Sequence, residues 1–219
     1  MIIGISGFIG SGKDTAANYL VGWHGFRRDS FAGALKDAVA TVFGWDRELL
    51  EGLTPESRQW RDQVDTWWAK RLNMPNLTPR WILQYWGTEV CRGGFHDDIW
   101  IAALENRLRS RSGDTVITDV RFPNEIKTIR NAGGIVIWIK RGELPEWYSD
   151  ALRENTTPED QQWLLEDAHQ LMPQKYPNVH ASEYSWVGTM FNAEIDNNGT
   201  VDQLHEQLKN LLLSQRVSS

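Results

Sequence analysis

The segment Gly7-Phe8-Ile9-Gly10-Ser11-Gly12-Lys13-Asp14-Thr15 constrains this chain more than any other because of what flanks it. The apolar run Ile2-Ile3-Gly4-Ile5-Ser6 precedes it, and the helix-forming Ala16-Ala17-Asn18-Tyr19-Leu20-Val21 follows. A buried strand, a glycine-rich turn and a helix start, in that order, make a phosphate cradle, since turn amides and the positive helix end converge on one anion. Gly7 and Gly12 match the outer glycines of G-x-x-x-x-G-K-[ST], and Lys13 supplies a cation that follows β- and γ-phosphate charge. Asp14 stands where the pattern has the Ser or Thr that meets Mg²⁺, and the hydroxyl residue, Thr15, comes one place later. A plain glycine-rich turn is the bland alternative; the ordered loop, lysine, hydroxyl and flanks argue against it.

A net charge of −6 argues against a general nucleic-acid or anionic-membrane surface, so any phosphate specificity must come from local basic residues, and a free nucleotide fits better than a polymer. The chain is long enough to bury one substantial core and is expected to be globular and soluble. Its first residues are expected to form a strand rather than a signal peptide, and no run approaches a membrane span. Cys91, the only cysteine, points to a reducing cytoplasm. The histidines lack metal-binding spacing, so no structural zinc is expected. Most of the 12 tryptophans are expected to be packing residues.

Along the chain, a first helix is expected to stop within residues 22–25 and a second strand to cover residues 26–32. The next helix carries Leu35, Ala38, Val39, Val42 and Phe43 at helical spacing and ends at Gly44. Residues 46–94 read as a helical insertion broken at Thr54-Pro55, Met74-Pro75 and Thr78-Pro79, rich in Trp and Arg: Arg58, Trp60, Arg61, Trp67, Trp68, Arg71, Arg80, Trp81, Trp86 and Arg92. Such a set can sandwich a base and grip its phosphate, or it can anchor helix packing under solvated charges. His96-Asp97-Asp98 starts a helix with Trp100, Leu104 and Leu108 on one face. Residues 115–121 read as a strand finishing in Asp119 and Arg121, Pro123 opens a helix to Asn131, and residues 135–140 are the most evident buried strand. Residues 142–190 form a polar, proline-punctuated insertion, either a lid or a static decoration. A last strand at residues 191–195 and a closing helix at residues 201–213 follow, the helix turning Val201, Leu204, Leu208, Leu211 and Leu212 inward, with a frayed tail at residues 214–219.

These elements predict an α/β fold: a three-layer, doubly wound sheet of about five parallel strands, in one domain carrying both insertions. Ligands of such sheets sit beyond the carboxyl ends of the strands, which puts residues 7–15, 31–36, 119–121 and 140–141 on one rim. There Asp119 reads as an acid near Mg²⁺ or as a helix cap, and Arg121 as a partner for phosphate charge. An acceptor held by the first insertion and a donor covered by the second would keep water out, so that phosphate passes to the acceptor.

The combination Gly10-Ser11-Gly12-Lys13-Asp14-Thr15, Phe31-Ala32-x-x-Leu35-Lys36, Leu83-Gln84-x-Trp86-Gly87-Thr88-Glu89, Asp119-Val120-Arg121-Phe122-x-Asn124-Glu125 and His180-x-Ser182-Glu183 resembles the bacteriophage deoxynucleoside monophosphate kinases. The blocks span most of the chain in order, although the Trp-rich segment and the insertion after Arg141 match only loosely, and Gly-Lys-Asp-Thr belongs to that family. The resemblance implies a nucleoside monophosphate kinase fold, the reaction of ATP with a dNMP to give ADP and dNDP, Mg²⁺ as cofactor, and a cytoplasmic role in supplying precursors for phage DNA. By motif, Gly10, Ser11, Gly12, Lys13, Asp14 and Thr15 would bind ATP. Lys36, Arg80, Gly87, Thr88, Trp100, Asp119, Arg121 and Glu125 would surround the dNMP. Asp14, Thr15 and Asp119 are the metal candidates; Lys13, Arg121 and Arg141 the catalytic cations, with Arg153 a weaker lid cation and His180 and Glu183 ties between lid and body.

From the residues alone, Lys36 and Arg80 read equally as acceptor-phosphate ligands or solvated helix charges, Gly87-Thr88 as a backbone approach to the base or a C-cap, and Trp100 as a stacking ring or core. Glu125 could orient Arg121 or form a surface i,i+4 pair. A dephospho-coenzyme A kinase or another small-acceptor kinase of this fold is the nearest rival, with residues 83–89 favouring the dNMP; a slow regulatory ATPase is a further one. Neither nucleic acid nor membrane is an expected partner, and a homodimer stays open.

Overall fold

The computed structural model describes residues 1–157 and 171–217. Residues 158–170, Pro158 included, belong to the expected lid-like insertion and lie outside the described residues, as do the last two residues of the expected frayed tail. The chain forms two compact units, Met1–Arg28 with Gly113–Ser219, and Asp29–Ser112.

The larger unit is built on a five-stranded parallel sheet of order β2-β3-β1-β4-β5, with β1 (Ile2–Ser6), β2 (Arg27–Asp29), β3 (Thr115–Ile117), β4 (Ile135–Lys140) and β5 (Ala193–Asp196). Ile2 faces Thr115, Ser6 faces Trp138, and Lys140 faces Asp196. Helices α1 (Lys13–His24) and α12 (Val201–Val217) cover one face: Ala16, Ala17, Leu20, Leu204, Leu208 and Leu212 bury against Ile3, Ile5, Val116, Ile137, Ile139 and Ile195. Helix α8 (Pro123–Asn131) covers the other, close enough that a Cβ on Gly4 would lie 2.5 Å from Ile129 Cδ1. The expected three-layer, doubly wound α/β architecture is therefore present. Beyond β4, α9 (Tyr148–Thr156), α10 (Leu171–Lys175) and α11 (Ala181–Tyr184) occupy the described part of the second insertion.

The smaller unit is helical: α2 (Gly33–Phe43), α3 (Arg47–Glu51), α4 (Pro55–Arg61), α5 (Thr66–Leu72), α6 (Pro79–Tyr85), a π-helix (Trp86–Gly93) and α7 (Ile99–Arg109). Thr54 and Thr78 do not simply break the helical pattern. Each caps a new helix through its hydroxyl, with the proline at the first helical position. Much of the aromatic content is packing: Phe43 stacks on Trp45 at 4.4 Å and meets Trp68 and Trp86 edge-on, and Trp45 donates to Asp65 at 2.8 Å. Trp67 stays exposed, as does Trp23 on α1 of the larger unit.

Several expected boundaries move. The second strand shrinks to Arg27–Asp29 because the Phe26 amide is used to close α1 on Leu20 O (3.2 Å), while Asp29 turns back on the Ser30 amide (2.7 Å). Strand β3 ends at Ile117, so Asp119 and Arg121 sit past the strand rather than at its end; Glu125 takes the amides of Arg121 and Phe122. Strand β5 starts two residues late, since Asn192 pairs with Val136 through both its backbone and its side chain. On α2 the buried stripe is Leu35, Val39 and Phe43, leaving Ala38 and Val42 exposed. On α12 Val201 is exposed, and the helix runs on to Val217 instead of fraying from Ser214, whose hydroxyl bonds Leu211 O.

Candidate functional site

In the larger unit, β1 delivers the chain into residues 7–12, which fold into a cradle ahead of α1. Gly12 has φ of 97°, a left-handed value costly for any side chain, and a Cβ there would overlap Asn197 Nδ2. Gly7 is equally constrained, since a Cβ would come 2.6 Å from Ile139 O and 2.7 Å from Ser11 Oγ. Among the described residues no side chain caps α1, so its first-turn amides are left facing the loop.

Asn197 lies 186 residues further along and supports this loop: its buried amide donates to Ser11 O at 2.8 Å. Phe8 anchors the loop from another side, packing on Trp147 at 5.5 Å and on Trp186 at 4.8 Å. Lys13 folds back, its Nζ donating to Gly7 O (2.6 Å) and Phe8 O (2.7 Å). Burial, with repulsion from Arg121, pushes its pKa down to about 8, against the opposing pull of Glu183 and Asp14.

Several of the remaining expected residues of this unit meet charged side chains or backbone. Arg121 Nη1 pairs with Glu183 Oε1 at 2.5 Å and approaches Ser182 Oγ at 3.4 Å. His180 caps the short helix that carries Glu183, its Nδ1 accepting from the Ser182 amide at 3.2 Å. Ser6 Oγ donates to Val120 O (3.0 Å), tying the stretch with Asp119 and Arg121 to the end of β1. Glu125, buried, neither points at Arg121's guanidinium nor forms a surface pair: its Oε2 accepts from the backbone amides of Arg121 (2.8 Å) and Phe122 (3.1 Å). Asp14 pairs with Arg28 at 2.8 Å, Thr15 is exposed on the first turn of α1, and Arg141 is exposed just beyond β4. The oxygen chemistry of Asp14, Thr15 and Asp119 suits a hard divalent cation. No group of three or more His, Cys, Asp or Glu side chains that could hold a metal ion converges among the described residues.

In the smaller unit, Lys36 Nζ pairs with Glu51 Oε2 at 2.6 Å, and Glu51 also binds Arg47. Burial pushes the Glu51 carboxyl up, but Lys36 and Arg47 outweigh it and hold the group below the ordinary carboxylate value. Arg80 is clamped on Asp62. Gly87 is not a helix end. It lies in the π-helix with Thr88, is buried, and its carbonyl accepts the Trp100 indole N–H at 2.8 Å, while a Cβ on it would come 2.9 Å from Leu35 Cδ2. Trp100 is itself buried, so it fixes Gly87 rather than presenting an open stacking face.

Sequence reasoning missed Asn197, Arg28 and Glu51. Asn197 was legible only as a turn residue; Glu51 had one local signal, its i,i+4 spacing from Arg47.

Two curated relatives align over most of their length. A protein of Acanthamoeba polyphaga mimivirus, provisionally named a deoxynucleotide monophosphate kinase, is 36% identical over 155 residues, covering 64% of this chain and 74% of its own. The deoxynucleoside-5'-monophosphate kinase of Escherichia phage T5 is 28% identical over 218 residues, covering 77% and 82%. No protein-family profile matches the chain. Among solved structures, shikimate kinase from Aquifex aeolicus aligns over 100% of both chains at 11% identity and a TM-score of 0.44. Dephospho-CoA kinase from Campylobacter jejuni aligns over 97% of this chain and 96% of its own at 15% identity and a TM-score of 0.42. Likenesses this slight assign neither fold nor acceptor.

Proposed function

Because the chain belongs to the deoxynucleoside monophosphate kinase family, we propose that it transfers the γ-phosphate of ATP to a dNMP, yielding ADP and dNDP. The observation that carries this reading is the cradle itself: Lys13 drawn onto the Gly7 and Phe8 carbonyls at the uncapped start of α1. A glycine-rich loop at a helix start, with a lysine that can exchange these carbonyls for phosphate oxygens, is suited to hold a triphosphate. A phosphate oxygen of the dNMP attacks the γ-phosphorus, and the bond to the β,γ-bridging oxygen breaks, leaving ADP. The attacking oxygen is already anionic, so alignment and charge neutralisation supply most of the catalysis.

In this reading Gly10 to Thr15 hold the ATP phosphates, and Lys13 leaves its two carbonyls for phosphate oxygens. Arg121, once parted from Glu183, and Arg141 meet charge on the transferred group. Asp14, Thr15 and Asp119 are the residues that would hold Mg²⁺, which when bound with ATP neutralises charge on the β- and γ-phosphates. Residues 46–94, with Lys36, supply the acceptor site. There Lys36 and Arg80 face the acceptor phosphate, Gly87 and Thr88 offer backbone and hydroxyl, and Trp100 acts through Gly87. Glu125 positions Arg121 from its own backbone. The lone thiol and the family both suit a cytoplasmic setting.

The test is coupled ADP release with ATP, Mg²⁺ and each dNMP, with dephospho-coenzyme A alongside. Turnover with one or more dNMPs, reduced on the order of a hundredfold or more by Lys13→Ala, is the expected result. Turnover with dephospho-coenzyme A alone, or ADP release that no acceptor accelerates, would overturn it.

A further inference from the structure

The two cations of the helical unit that sequence reasoning assigned to the acceptor phosphate are both neutralised internally, Lys36 by Glu51 and Arg80 by Asp62. Arg61, at the end of α4, is not. Its guanidinium lies against the turn that closes α3, so tightly that a Cβ on Gly52 would overlap it. The best acceptor it finds is Leu50 O, 3.5 Å from Nη1, at the outer limit of a hydrogen bond. Its Nε is buried without a partner, and no carboxylate among the described residues comes within ion-pair reach of it. Burial, with repulsion from Arg80 and Arg58, pushes its pKa below the ordinary arginine value, against the opposing pull of the Asp62 and Glu51 carboxylates, neither of which bonds it.

Capping the end of α3 does not account for this residue. Arg58 already serves that turn, donating from Nε to Gly52 O at 2.9 Å, and the Gly52 amide closes on Leu49 O. A partly buried guanidinium beside a second arginine, with unfilled hydrogen-bonding capacity, is costly until an anion arrives. Its fork suits a phosphate far better than a lysine would.

We propose that Arg61 is the primary ligand of the acceptor's phosphate, receiving it through its Nη groups while Lys36 and Arg80 flank it. The class of ligand is a phosphomonoester dianion such as the 5'-phosphate of a dNMP, so the assignment rests on the acceptor reading given above.

The test compares wild type with Arg61→Gln and Arg61→Lys. Steady-state kinetics should show the dNMP KM raised about 10- to 100-fold in Arg61→Gln, with kcat and the ATP KM within about threefold of wild type, and partial recovery in Arg61→Lys. Thermal melting with saturating ADP, which fills the phosphate loop, should show stabilisation by inorganic phosphate in wild type and none in Arg61→Gln. The ligand-free Tm of Arg61→Gln should not fall. A lowered Tm with an unchanged dNMP KM would make Arg61 a structural cap and overturn the proposal, as would equal phosphate stabilisation in both proteins. If Arg61→Gln does not fold, a wild-type dNMP KM in Arg61→Lys overturns it and a raised one supports it. If wild type uses no dNMP, the acceptor reading fails separately, and the phosphate-dependent melting still decides the role of Arg61.

Discussion

With Lys13 in the proposed role of ATP ligand, ATP binding acquires a pH dependence whose sign and size follow from the residue's surroundings. Its pKa of about 8, against an ordinary 10.5, means that folding holds this ammonium at a cost of about 3 kcal/mol. Below pH 8 the residue is charged in both folded and unfolded chains, and the cost is fully present. Between pH 8 and 10.5 the unfolded chain binds the extra proton, so this residue's contribution makes stability rise with pH. ATP acts in the opposite direction, because its phosphates restore the charged form. If they return the pKa to 10.5, affinity falls about tenfold between pH 7 and 9, and binding at pH 8 takes up about half a proton.

Titration calorimetry with a non-hydrolysable ATP analogue at constant Mg²⁺, in buffers of differing ionisation enthalpy, measures both quantities. Lys13→Met should bind weakly with a flat profile. Glu183→Gln removes a charge that raises the Lys13 pKa, so its affinity should begin to fall at lower pH than in wild type. A wild-type affinity unchanged from pH 7 to 9, with no proton uptake at pH 8, would refute the reasoning.

Two other side chains should matter without touching the reacting atoms. Asn197→Ala removes the buried bond to Ser11 O and should cost about 1–2 kcal/mol of stability while raising the ATP KM about tenfold; a lowered Tm with the ATP KM unchanged would remove Asn197 from the loop's support. Glu125→Ala strands the Arg121 and Phe122 amides, which should cost about 2–3 kcal/mol, seen as a fall in Tm of about 5–10 °C, and raise the dNMP KM through Arg121; Glu125→Gln, which keeps an acceptor oxygen, should recover most of both.

What was legible in the sequence was local. Residues 7–15 carry their own turn chemistry, Pro123 with Glu125 three residues behind Phe122 announces α8, and the unbroken apolar run at residues 135–139 leaves β4 no other place than the middle of a sheet. At three of the boundaries that moved, a side chain had intercepted a backbone group: Asp29 at the end of β2, Glu125 after β3, Asn192 before β5. Periodicity carries no trace of such captures. Gly87 misled for a different reason, since a π-helix keeps the chain helical through a position that α-helical spacing marks as a break.

The charge pairs were the least legible part, and they change what the candidate ligands must do. Lys36 with Glu51 and Arg80 with Asp62 in the helical unit, and Arg121 with Glu183 and Asp14 with Arg28 in the sheet unit, are separated by between 14 and 62 positions in the chain. No spacing rule connects them. Each expected phosphate ligand among them already has a carboxylate, so a substrate phosphate gains only the difference between two charge-assisted bonds rather than the whole of one. Competition of this kind limits affinity for stray anions, and it suits a ligand that offers two negative charges where the internal partner offers one. In the helical unit Arg61 stands outside this arrangement: Asp62 and Glu51 offset part of its charge, but among the described residues no carboxylate is bonded to it, and on the proposed role the first interaction with an acceptor phosphate falls to it.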